Sequence, residues 1–336
     1  MEIKKFLERI PGGMMVVPLL LGSVVNTVAP NALRIDGFTQ ALFVDAVPVL
    51  AALYLVCAGA QLNLRSFGTS VAKGVTLLAI KWLVAIIFTV IAITFAGESG
   101  LWLGLAPLAI MAAMSNSNGA MYMAVASQYG KQDDKAAYSI LVLNDGPLLS
   151  MLAFTVLGVM GFVEGMFSIM PFISVLIPLL VGTVLGNLDE KMRDFFVSGS
   201  DMIIPFLAFA LGMGIDLSSI LEGGLSGILL GLMTLVFTGG AAYFVFKLFK
   251  WNPIVGAAEG TTAGNAVMVP AVIASANPAF ASLEAIATVQ VAAAAVTTAI
   301  LLPIALTLLV KLTGAQKNVS PKEDEVTNDI TSEKIN

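Results

Sequence analysis

Histidine is absent from the 336 residues, cysteine occurs once, at Cys57, and charged residues make up only 12% of the chain. Without histidine the chain lacks the side chain whose ordinary pKa best suits proton handling near neutrality. A serine or cysteine hydrolase would lack its usual imidazole base, and neither HExxH nor GxGD occurs, which argues against an intramembrane enzyme. A lone cysteine excludes an internal disulfide and any CxxC zinc site. The scarcity of charge excludes a soluble globular domain, and no basic patch offers a footing for nucleic acid. What the chain has instead is 58% hydrophobic residues and a mean hydropathy of +0.93. It reads as an all-α integral membrane protein whose constant partner is the lipid bilayer.

A hydrocarbon-spanning helix needs roughly 20 apolar residues. Such windows fall near 12–29, 41–62, 71–96, 101–128, 135–160, 167–188, 197–217, 223–248, 253–276 and 280–311, predicting ten transmembrane helices. Basic residues precede the first window as they would in a signal peptide, but nine more windows follow, so a retained first helix is expected. Lys4, Lys5, Arg9, Arg65, Lys73, Lys131, Lys135, Lys191, Arg193, Lys247, Lys250 and Lys311 flank one set of ends, and the opposite loops hold Arg34 and acids. The positive-inside rule then puts both termini in the cytoplasm. Residues 315–336 are polar throughout and read as a disordered cytoplasmic tail.

The chain repeats itself. Val17-Pro18-Leu19-Leu20-Leu21-Gly22-Ser23-Val24 is matched by Ile177-Pro178-Leu179-Leu180-Val181-Gly182-Thr183-Val184, and the run from Gly59 to Ser66 by Gly212 to Ser219, with Asn63 opposite Asp216. Five helices per half is an odd number, so residues 1–162 and 163–314 are expected to be two inverted five-helix repeats, a device of secondary transporters. Ser115-Asn116-Ser117-Asn118-Gly119 breaks the fourth window, and Glu259-Gly-Thr-Thr-Ala-Gly-Asn265 breaks its counterpart, the ninth. Unwound backbone at that depth is tolerated where it is buried in protein or lines a cavity. Crossed, discontinuous helices 4 and 9 would bring four half-helix ends together, with N–H groups suited to a carboxylate.

Ionisable residues inside the windows each cost on the order of 3 kcal/mol on insertion scales, so each needs a reason. Glu259 lies in the second interruption; it either works in transport or caps the following half-helix. Asp145, beside Asn144 and before a kinking Gly-Pro, is either functional or a buried acid satisfied by Ser and Asn of helix 4. Lys81 either faces Glu259 or a substrate carboxylate, or snorkels to the interface beside Trp82. Asp45 and Asp201 lie near window ends and read as interfacial or capping. Gln290 occupies the repeat position of Asn144 and joins the polar shell. Without histidine, a proton carrier has to be a carboxylic acid, and burial favours an acid's neutral form. A sodium ion would instead want neutral oxygens such as those of Ser117, Asn118, Ser139, Thr261 and Thr262 beside a carboxylate. Both couplings stay open.

The block MEIKKFLERIPGGMMVVPLLLGSVVNT, the SNSNGAMYMA break and the GNAVMVPA run resemble the bacterial 2-keto-3-deoxygluconate permease family, over residues 1–314. The resemblance implies import of that six-carbon sugar acid across the bacterial plasma membrane by proton symport, with no cofactor. More distantly the chain is similar to the ten-helix sodium–bile acid symporters, whose crossed helices 4 and 9 carry Ser-Asn and Glu, matched by Ser117-Asn118 and Glu259. Where helix 3 of that fold carries a Gln near a sodium, Lys81 stands here, implying a fixed ammonium in its place. The same likeness implies a panel of helices 1, 2, 6 and 7 against a core of helices 3–5 and 8–10. Together these readings assign substrate binding to Lys81, Ser115, Asn116, Ser117, Asn118, Gly119, Asn144, Thr261, Thr262, Asn265 and Gln290, and proton coupling to Glu259 and Asp145. The alternative is a sodium-coupled organic-anion symporter of the same fold. A homo-oligomer is left open.

Overall fold

A computed structural model of the chain describes residues 2–9, 13–62, 68–163, 169–215 and 217–314. The Asn63–Asp216 comparison and the 315–336 tail lie outside the described residues. In chain order the helices are α1 (Ile3–Arg9), α2 (Gly13–Val28), α3 (Gly37–Phe43), α4 (Val47–Gln61), α5 (Thr69–Ala96), α6 (Pro107–Ser115), α7 (Gly119–Tyr129), α8 (Gln132–Ala136), α9 (Tyr138–Leu141), α10 (Leu148–Val159), α11 (Ile169–Leu188), α12 (Glu190–Gly212), α13 (Leu217–Met233), α14 (Gly239–Leu248), α15 (Pro253–Ala257), α16 (Val269–Ala276) and α17 (Glu284–Thr313).

Among the described residues, α5, α12, the run Gly223–Leu248 and the run Pro278–Thr313 are each long and apolar enough to cross a membrane. Two bent pairs pass together, α3 with α4 at 57° and Gln132–Asn144 with α10 at 56°. The second bend falls at Asn144-Asp145-Gly146-Pro147, where proline cannot continue the hydrogen-bond ladder. Gly146 sits there at φ 119°, a region that only glycine adopts without strain. The second window is therefore not one straight helix, because Val44, Asp45 and Ala46 separate α3 from α4.

Two helix pairs pack through glycine. A Cβ on Gly22 of α2 would overlap the Phe209 carbonyl of α12, and one on Gly212 would overlap the Leu19 carbonyl. At the matching positions Gly182 of α11 meets the Val56 carbonyl of α4, and Gly59 meets the Leu179 carbonyl. Small residues let membrane helices approach this closely. The pairs end alike as well: Asn26 Nδ2 donates to the Ile215 carbonyl at 3.3 Å, and Asn187 Nδ2 to the Leu62 carbonyl at 2.7 Å. α12 also packs along α4, which joins the four helices into one layer.

Several of the remaining helices pack around α6. Every residue of α6 is buried, as expected of a helix apolar on all sides, with α5, α16 and α17 against it. The start of the fourth window is not helical. Residues 101–106 form a tight turn, with Leu103 and Gly104 at φ 54° and 77°. Gln290 of α17 holds it, its Nε2 donating to the Gly104 carbonyl at 2.7 Å and its Oε1 accepting from Ala106 N at 3.0 Å.

Candidate functional site

The fourth window is interrupted between α6 and α7, and side chains make up for the bonds the backbone loses there. Helix C-termini leave carbonyls without intrahelical donors. Ser115 Oγ donates to the Met111 carbonyl at 2.6 Å, Asn116 Nδ2 to Ala112 at 3.0 Å, and Thr262 Oγ1, from the other interruption, to Ala113 at 3.1 Å. Asn116 Oδ1 accepts from Gly146 N at 2.8 Å, tying the interruption to the bend of the fifth window. Asn118 then caps α7, its Oδ1 accepting from Met121 N at 3.1 Å.

The ninth window breaks between α15 and the turn Gly264–Met268 that leads into α16. Lys81 is fully buried and donates to the carbonyls of Glu259 at 3.0 Å and Thr261 at 2.6 Å. Thr238, in a π-helical turn between α13 and α14, also donates to the Glu259 carbonyl at 3.0 Å; such turns are frequent at functional sites. Thr262 N donates to Thr298 Oγ1 at 3.0 Å. The two interruptions touch: Asn118 N donates to Thr261 Oγ1 at 3.2 Å, and Ala263 N to the Asn116 carbonyl at 3.4 Å.

Two carboxylates meet at this contact. Glu259, fully buried, accepts a hydrogen bond from Ser117 Oγ, and Ser117 Oγ accepts from Asn144 Nδ2 at 2.7 Å. Glu259 Oε1 has no hydrogen-bond partner. The next residue after Asn144, Asp145, accepts from Tyr54 Oη at 2.9 Å and from Asn265 Nδ2, and Asn265 Nδ2 also reaches Tyr54 Oη at 2.5 Å. Asn265 Oδ1 is buried without a partner.

A cavity of about 420 Å³ opens beside the second cluster, within the range of small-molecule sites. The heads of both second half-helices line it: Asn118, Gly119 and Ala120 on one side, and Ala263, Gly264 and Asn265 on the other. Ser117, Asp145 and Tyr54 complete that wall, and Ser200 and Asp201 of α12 face it across the cavity. Partial positive charge at helix starts, amide and hydroxyl groups, and carboxylates together suit an anion that also carries hydroxyls.

Of the residues singled out by sequence, Ser117, Asn118, Gly119, Asn265 and Asp145 line the cavity. Ser115, Asn116, Asn144, Thr261, Thr262 and Glu259 stand behind it, bonded to backbone and to one another. Lys81 faces Glu259, one of its expected positions, but through the main-chain carbonyls of Glu259 and Thr261 rather than toward the cavity, and it does not snorkel; Trp82 donates to the Leu149 carbonyl at 2.9 Å. Two expectations need correction. Gln290 does not join the polar shell, because it holds the opposite end of α6. Asp201 is not at a helix end: α12 begins at Glu190, and the acid lines the cavity. Sequence reasoning missed Tyr54, Thr238, Thr298 and Ser150, whose hydroxyl pairs with Ser115 Oγ at 2.9 Å. Tyr54 had a signal, a phenol inside the apolar run Ala51-Ala-Leu-Tyr54-Leu-Val; the threonines resemble ordinary helix-packing residues.

Apolar helices around a polar cavity, with two interrupted windows meeting at its wall, define a multi-pass membrane transport protein rather than an enzyme. The profile of the 2-keto-3-deoxygluconate permease family matches residues 4–315, and the chain belongs to that family. It is 45% identical over 319 residues to 2-keto-3-deoxygluconate permease 1 of Salmonella typhimurium, covering 95% of this chain and 99% of that one. It is 40% identical to the 2-keto-3-deoxygluconate permease of Enterobacter sp. strain 638, covering 94% and 95%. The corresponding protein of Dickeya chrysanthemi is 38% identical, with 97% and 96% covered. Among solved structures, the sodium proton antiporter MjNhaP1 from Methanocaldococcus jannaschii at pH 8 superimposes with a TM-score of 0.55 at 13% identity, covering 89% of this chain and 91% of that one. At that identity the likeness speaks to the fold alone.

Proposed function

We propose that the protein imports 2-keto-3-deoxygluconate by proton symport, through alternating access around the contact of the two interrupted windows. The observation that carries the reading is the cavity walled by the starts of both second half-helices and by Asp145. The half-helix N-termini hold the carboxylate, Asn118 and Asn265 hold hydroxyls, and Glu259 or Asp145 carries the proton. The names of the relatives support the substrate. The paired glycine contacts at matching positions support two inverted repeats, with α2, α4, α11 and α12 as a panel that rocks against the remaining helices. The distribution of Lys and Arg supports cytoplasmic termini, so the cavity, which reaches Leu7 and Gly13, faces inward.

Uptake of labelled 2-keto-3-deoxygluconate by vesicles under an imposed pH gradient tests the reading. Glu259→Gln or Asp145→Asn is expected to abolish gradient-driven accumulation; accumulation intact in both variants overturns the proton assignment. A sodium-coupled version draws support from Glu259 Oε1 and Asn265 Oδ1, buried oxygens without hydrogen-bond partners. Accumulation that requires sodium and ignores a protonophore at fixed membrane potential would select it.

A further inference from the structure

A second cavity, of about 530 Å³, lies along the same seam between panel and core. Three elements run from one cavity to the other. On α4, Tyr54 and Gln61 line the first cavity, and Ala51, Ala52 and Leu55 the second. On α12, Ser200, Asp201 and Ile204 line the first, and Ala210, Leu211 and Met213 the second. In the ninth window Ala263, Gly264 and Asn265 line the first, and Ala271, Val272, Ala274 and Ser275 the second. The second cavity ends at Arg34, whereas the first reaches α1, so they open toward opposite faces of the molecule.

What separates them is thin and mostly one polar cluster. Leu207 and Ala208 of α12 are fully buried between the two sets of lining residues. Leu55 and Met268 flank Gly146, each within van der Waals reach of a Cβ placed there. The remaining partition is Tyr54 with Asp145 and Asn265. Tyr54 belongs to the panel, while Asp145 and Asn265 belong to the core, so these hydrogen bonds span the surfaces that must slide in any rocking motion. Seven residues further along α4, Gln61 Oε1 accepts from Tyr138 Oη of the core at 3.4 Å, a longer bond on the same seam.

We infer that Tyr54 is the gate residue of the transporter, its hydroxyl fastening panel to core so that the seam is shut toward the Arg34 face while the first cavity is open to the other. The inference rests on the alternating-access part of the proposed function. Tyr54 bonds the two groups best placed to meet an incoming sugar acid, Asn265 through its amide and Asp145 through its carboxylate. A substrate hydroxyl that takes Asn265, or a proton that takes a lone pair of Asp145, competes directly with the phenol.

The test reads accessibility and needs neither sugar acid nor proton gradient, so its failure is distinguishable from failure of the transport reading. In a Cys57→Ala background, which removes the chain's one cysteine, a reporter Ala120→Cys is placed in the first cavity, beyond the Tyr54 partition as seen from the Arg34 face. Tyr54→Phe is expected to raise its reaction rate with a membrane-impermeant maleimide, applied from the Arg34 face, on the order of tenfold, the weight of one hydrogen bond to a charged acceptor. Asp145→Asn, which weakens the acceptor while keeping its shape, is expected to act in the same direction and carries the test if Tyr54→Phe fails to fold. Either variant, folded by size exclusion and thermal melting yet labelled at the parent rate, overturns the gate. As a second readout, Tyr54→Phe is expected to preserve substrate exchange across the membrane while altering net uptake; loss of both in step would mark Tyr54 as a binding residue instead.

Discussion

Lys81 shows how a buried charge can be part of the scaffold. Its ammonium replaces the two amide donors that the interruption withholds from the Glu259 and Thr261 carbonyls. Charge-assisted bonds of this kind shorten and strengthen in a low-dielectric interior. Lys81→Met leaves both carbonyls without that donor, and the expected cost is on the order of 3 kcal/mol of stability. Thermal unfolding in detergent without substrate checks this: a clear fall in Tm is the expected outcome. A lysine that served only to hold a substrate carboxylate would leave the substrate-free Tm nearly where it was. Sequence exposed the lysine as an anomaly, because a charge inside an apolar window demands a partner. It could not name the partner, since backbone carbonyls become acceptors only after the helix ending some 180 residues away has been built.

At the scale of elements, the glycines explain why α2, α4, α11 and α12 sit where they do. Gly22 and Gly182 occupy matching positions of a repeated octet and each admits a carbonyl of the neighbouring helix. Gly22→Leu and Gly182→Leu are therefore expected to lower the yield of monodisperse protein alike, whereas Gly224→Leu, at a glycine with open space around its Cβ position, is expected to be tolerated. Size-exclusion profiles of the three variants decide it. The octets and the interruptions were legible in sequence because each breaks an apolar background. The 57° bend between α3 and α4 and the turn at 101–106 were not. Hydropathy averages over about 20 residues and passes smoothly across a local change of direction. Gln290 was misplaced for a related reason: repeat alignment fixes a residue's level along the chain, but not which side of its helix it occupies.

For the whole molecule, α6 and α16 set a problem that is separate from transport. At about 1.5 Å per residue the nine residues of α6 extend roughly 14 Å, half the thickness of the hydrocarbon layer. All nine are covered by other helices of the protein. When the ribosome delivers this stretch, α16 and α17 have not yet been made to cover it, and the Ala113 carbonyl still lacks Thr262 of the ninth window as its donor. The fourth window should therefore enter the bilayer as a provisional segment and settle only after the ninth has arrived. A chain truncated after residue 160 is expected to show the 101–128 segment accessible to proteases or glycosylation reporters in a microsomal assay, and the full-length chain to protect it. Synthesis thus passes through a stage in which the future transport site is a poorly anchored hairpin, and membrane chaperones and quality-control proteases have their opening at that stage.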